Sequence, residues 1–171
     1  MAKKDWAGFH LIEQALYVNG TTTGMAPVAK QLQADVEQLQ GLIADTQYEP
    51  ATIANGAVEL LNEVSASKIT GEEERYSRTD LVDFLANVEG AQAAFDAVKQ
   101  ILVVKDAALA AQIDARFADV YATLAPYGSG STFVPYTDLT KADTKQLSQS
   151  IDALAEPLSK VAKKVVSAQG Q

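Results

Sequence analysis

Apolar residues recur at three- and four-residue intervals along most of the chain, and the two-residue alternation of a half-buried strand is scarce. The spacing predicts a first helix from about Asp5 to Val18, ended by Asn19-Gly20. Pro27 suits the first turn of a second helix, where its missing N–H costs nothing, and Val28, Leu32, Val36, Leu39 and Ile43 mark one face of it. After the break at Tyr48-Glu49-Pro50, a third helix carries Ile53, Ala57, Leu60, Leu61 and Val64 on one side. Ile69 to Arg78 is polar, contains Gly71 and reads as a loop. Ser77, with Asp80 three residues on, has the form of a capping box opening a fourth helix, which keeps step from Leu81 to about Val104. Asp106 starts a fifth, with Leu109, Ile113, Phe117, Val120 and Leu124 in register. Pro126 to Leu139 is a connecting loop. Thr140 or Asp143 caps a last helix bearing Leu147, Ile151, Leu154, Leu158, Val161 and Val165, which Pro157 should bend or split.

Several amphipathic helices joined by mostly short loops predict an all-α, antiparallel helical bundle. The length of 171 residues fits one domain, 1–171, and is enough to bury a sizeable core. The formal net charge of −8, with 14 basic and 22 acidic residues, excludes the basic stripe a nucleic-acid binder needs. With no cysteine there is no disulfide, thiolate metal site or cysteine nucleophile. No run of apolar residues reaches the length of a membrane span.

The first helix is unusual. Phe9, Ile12 and Leu16 share one side while Leu11, Ala15 and Val18 fill much of the rest, the pattern of a buried helix. Yet Trp6, His10, Glu13 and Tyr17 gather in one narrow sector. His10 and Glu13, three apart, lie one above the other, so an imidazole and a carboxylate can share one ion. The bland alternative is a satisfied polar pair. Because His10 is the sole histidine, two-histidine zinc-peptidase motifs are excluded, and any site must be rich in carboxylates. That composition favours hard or borderline cations such as iron over a classical zinc site, with zinc or copper as the other candidates. A second acidic stretch, Glu72-Glu73-Glu74, leads into Asp80 and Asp83. These carboxylates either form a solvated turn and a favourable first helical turn, or reach into the bundle toward His10 and Glu13.

Three stretches together resemble the imelysin-like family: Trp6-Ala-Gly-Phe-His-Leu-Ile-Glu-Gln-Ala-Leu-Tyr, Ile69-Thr-Gly-Glu-Glu-Glu-Arg-Tyr-Ser-Arg-Thr-Asp-Leu-Val-Asp-Phe, and Ala86-Asn-Val-Glu-Gly-Ala. The nearer likeness is to its EfeO/EfeM branch of bacterial iron-uptake components. Gly8, His10 and Glu13 match the family's Gly-x-His-x-x-Glu signature. The resemblance implies a helical bundle in the periplasm or outside the cytoplasm. It also implies a metal site on His10 and Glu13, and delivery of iron to a membrane permease with a peroxidase-like partner. By the same resemblance Glu73, Glu74, Asp80 and Asp83 are candidates to complete the ligand set, and the family's peptidase label does not imply hydrolysis here. Members usually carry helical sequence ahead of the signature, and only a handful of residues precede Gly8. The expectation is a shortened bundle, with a weaker site or with exposed apolar surface that drives homodimerisation. The alternative function is a helical scaffold that docks a partner without metal chemistry.

Overall fold

The computed structural model describes residues 6–66 and 71–166. The predicted helix start at Asp5, and Ile69 and Thr70 of the predicted loop, lie outside them. The described residues form α1 (Phe9–Tyr17), α2 (Ala26–Ala44), α3 (Pro50–Ala66), α4 (Asp80–Leu124), α5 (Lys141–Leu158) and α6 (Val161–Val166). A two-stranded antiparallel hairpin, β1 (Gly128–Ser129) and β2 (Thr132–Phe133), is the small exception to an all-α fold. The chain divides into two compact units: Met1–Gln47 with Glu74–Arg78, and Tyr48–Glu73 with Thr79–Gln171.

The second unit holds the hydrophobic core. Leu61 and Val64 of α3, Phe84, Val88, Phe95, Phe117 and Val120 of α4, and Leu147, Ile151 and Leu154 of α5 are all buried in one cluster. Ser65 on α3 donates to Asp152 on α5 at 2.8 Å, a polar stitch at the edge of that cluster. The span α4 is two helices joined directly at Asp106, which has φ −157° and ψ 76°, values no helix tolerates. The chain reverses there. Phe95 meets Phe117 at a ring-centroid distance of 6.0 Å, Lys99 pairs with Asp114 at 2.7 Å, and the Tyr121 hydroxyl donates to Gln92 at 2.6 Å. These pairings are centred on Asp106, so the two halves lie antiparallel as the two helices expected from the spacing. Asp106 also caps the second half, accepting from the Leu109 N–H at 3.0 Å.

Pro50 stands at the first position of α3 rather than in a break before it, since a missing N–H costs nothing in a first turn. Thr140 is the N-cap of α5 in a full capping box with Asp143. Pro157 does split the last helix, with α5 ending at Leu158 and α6 resuming at Val161. Gly71 has φ 69°, and a Cβ there would run into the ring of Tyr136, so a side chain is excluded on two counts.

In the first unit the buried pattern expected of α1 is not met. The α1 residues Phe9 and Leu16 are exposed, and α2 has no buried residue at all. Val36, Leu39, Leu42 and Ile43 stand open to solvent along α2. An apolar stripe shows which face a helix can bury, not that the neighbours needed to bury it are present.

Candidate metal centre

The first unit builds its polar cluster from α1 and from the single turn Glu74–Arg78. Gly8 is the N-cap of α1 with φ 83° and ψ −156°, a backbone region closed to residues with a Cβ. That entry angle is the physical reason for a glycine two residues before His10. Helical spacing then sets His10 and Glu13 on one face, and the His10 Nδ1 and Glu13 Oε2 atoms lie 3.1 Å apart. His10 is half exposed, whereas Glu13 is 8% exposed.

A carboxylate so buried needs compensation. The turn supplies it. Glu13 Oε1 accepts from the Tyr76 N–H at 2.9 Å, the Ser77 N–H at 2.8 Å and the Ser77 hydroxyl at 2.8 Å. Burial by itself would raise the Glu13 pKa. The hydrogen bonds from Ser77, Tyr76 and His10 outweigh it and bring the pKa down to about 2, so Glu13 is a carboxylate throughout the physiological range. The turn is closed by an Arg78 N–H to Glu74 carbonyl bond of 2.9 Å, with Arg78 in the left-handed region at φ 63°. Its flank is packed by Tyr76, whose hydroxyl accepts from Gln14 Nε2 at 3.1 Å and whose ring meets the edge of Trp6 at 6.3 Å.

Glu74 is the third member. The Ser77 hydroxyl lies 3.0 Å from Glu74 Oε2, and ligand atoms of His10, Glu13 and Glu74 all fall within 4.8 Å of one another. Among the described residues this is the one group of three or more such side chains close enough to share an ion. The donor set, one imidazole nitrogen and two carboxylates, suits a borderline cation such as iron.

The other candidates do not join it. Glu73, Asp80 and Asp83 belong to the second unit and are not members of this group. Asp80 and Asp83 occupy the first turn of α4, where negative charge is favoured by the helix dipole. Asp80 is buried and, after burial itself, is the second cause that pushes the Tyr136 pKa up to about 12. The capping box expected at Ser77 is also corrected. The N-cap of α4 is Thr79, and the Ser77 hydroxyl turns to Glu13 and Glu74 instead. Ser77 and the Tyr76 N–H are thus members of the site that sequence reasoning missed. Spacing does single out the serine, but it assigns the hydroxyl to a helix end rather than to a carboxylate 64 residues away.

Comparison with known proteins gives the family and relatives of the chain. The profile of imelysin, a family that bears a peptidase label, matches residues 1–161. The iron uptake system component EfeO of Escherichia coli is 44% identical over 160 residues, covering 94% of this chain and 43% of that protein. EfeO of Shigella flexneri gives the same figures. The iron uptake system component EfeM of Bacillus subtilis is 40% identical over 158 residues, covering 92% of this chain and 41% of that protein. The chain therefore spans less than half the length of these relatives.

Proposed function

The chain belongs to the imelysin family, and from that membership and the site geometry we propose that it is an iron-binding helical component of a bacterial iron-uptake system. The observation that carries the reading is the convergence of His10, Glu13 and Glu74 within 4.8 Å. It is supported by the names of the relatives, which are iron uptake system components. Iron is the cargo, held by His10, Glu13 and Glu74, with zinc and copper as competitors for the same donors. The setting is extracytoplasmic, and the recipient is a membrane permease working with a peroxidase-like partner.

The role is binding rather than hydrolysis. The family's peptidase label would need a metal with a hydrolytic ligand set, and a single histidine cannot form a two-histidine zinc motif. Because the ligands bind in their deprotonated forms, ion affinity falls as the solution is acidified.

Isothermal titration of the wild type and of a His10→Ala, Glu13→Ala double variant with ferric, ferrous, zinc and copper ions tests the reading. Iron binding by the wild type and its loss in the double variant are expected; equal binding by the two overturns it. One observation favours a second role as a self-docking scaffold: the exposed Val36, Leu39, Leu42 and Ile43 of α2. A monomeric mass at all concentrations in light scattering would reject that role.

A further inference from the structure

The cluster contains a side chain that could not itself be a strong metal ligand yet touches both of its acidic members. Ser77 places its hydroxyl 2.8 Å from Glu13 Oε1 and 3.0 Å from Glu74 Oε2. Its own N–H and that of Tyr76 also end on Glu13 Oε1, at 2.8 and 2.9 Å. A carboxylate oxygen has two lone pairs. The two amides fill them and the hydroxyl adds a third donor, so Oε1 has nothing to offer a cation.

We propose that Ser77 is a positioning residue whose hydroxyl bridges Glu13 to Glu74, at a site where the two turn amides make Glu13 a one-oxygen ligand and thereby disfavour calcium. The inference rests on the reading of His10, Glu13 and Glu74 as a metal centre. With Oε1 saturated, Oε2 alone faces the imidazole, 3.1 Å from Nδ1. Neighbouring ligands on an octahedron with bonds of about 2.1 Å are about 3.0 Å apart. The pair thus already spans one edge of a small ion's coordination shell, with a hydrogen bond in place of the ion. Calcium asks for something different: six to eight oxygens at about 2.3–2.6 Å, often with a carboxylate giving both of its oxygens. Glu13 cannot give both while Ser77 and the turn amides hold one. The hydroxyl has a single proton, so it serves Glu13 and Glu74 in turn, and keeps the two acids at a separation that a small ion can bridge.

The test uses cobalt(II) as a spectroscopic probe and calcium as competitor, on the wild type, Ser77→Ala and Ser77→Thr. Ser77→Ala should lose about 10–100-fold in cobalt affinity, the usual cost of removing a partner that orients a ligand. Its visible cobalt bands should shift as Glu74 loses its tie to Glu13, while the two turn amides still hold Oε1 and calcium remains a poor competitor. Ser77→Thr, which keeps the hydroxyl, should retain the wild-type affinity and spectrum. If the alanine variant does not fold, Ser77→Cys exchanges the hydroxyl for a weak donor and carries the same expectation. Unchanged cobalt affinity and spectrum in Ser77→Ala would overturn the proposal while leaving the metal centre standing, as would ready displacement of cobalt by calcium from the wild type. A wild type that takes up no cobalt or iron would overturn the metal centre itself.

Discussion

Ser77 gives Glu13 both its amide N–H and its hydroxyl, each at 2.8 Å, across 64 residues of chain. This contact ties the α1 signature to the Glu74–Arg78 turn and explains why a carboxylate can be both buried and ionised. It also explains why the turn matters to the site although only Glu74 in it could touch an ion.

Acid should release the contact. Glu13 has a folded-state pKa of about 2 against an ordinary 4.5, so its contribution to stability is fully present above about pH 4.5 and is lost as pH falls toward 2. That contribution is about 3 kcal/mol at neutral pH, since each tenfold change in a protonation equilibrium is worth about 1.4 kcal/mol. Urea denaturation of the wild type and of Glu13→Gln at pH 7 and at pH 3 should show the difference between the two proteins shrinking in acid. A constant difference would contradict it.

His10 is half exposed, and so its removal should separate binding from folding. His10→Ala should cost no more than about 1 kcal/mol of unfolding free energy, the worth of one hydrogen bond to Glu13. In the same protein iron affinity should drop steeply. Calorimetric titration and thermal melting of one sample check both halves of the statement.

Gly71→Ala is expected to destabilise the second unit. The residue has φ 69° and its new Cβ would occupy the space of the Tyr136 ring. Left-handed strain alone costs about 1–2 kcal/mol, and displacement of the ring adds to it. A chemical-denaturation midpoint equal to that of the wild type would show that the turn can relax.

Phe117→Ala should be among the most damaging substitutions in the core. Phe117 is buried against Phe95 where the two halves of α4 fold on each other. A loss of about 3–5 kcal/mol is expected, the sum of lost burial and a cavity. Thr140→Ala at the α5 capping box should cost about 1 kcal/mol by comparison. Denaturation curves of the two variants side by side would establish the order.

Much of the helical layout was legible locally. The Leu81–Leu102 and Leu109–Leu124 stripes, the reversal at Asp106, the Thr140–Asp143 cap and the split near Pro157 all follow from spacing, caps and proline chemistry within a few residues. So did the pairing of His10 with Glu13, because three residues along a helix bring two side chains together whatever surrounds them. Other features depend on neighbours distant in sequence. Glu73, Glu74, Asp80 and Asp83 look alike as a run of acids, and only the folded chain separates Glu74, beside His10 and Glu13, from the three that belong to another unit.

Periodicity along the chain determined which residues are helical, which face of each helix is apolar and where an imidazole and a carboxylate must coincide, because these depend on bonds and spacings inside one segment. Tertiary structure decided that Ser77 serves Glu13 rather than a helix end, that Glu74 is the acid that joins them, and that the α2 stripe stays uncovered. A hydroxyl, a carboxylate or an apolar face has several acceptable partners, and the choice among them is made by which segments the fold brings within reach.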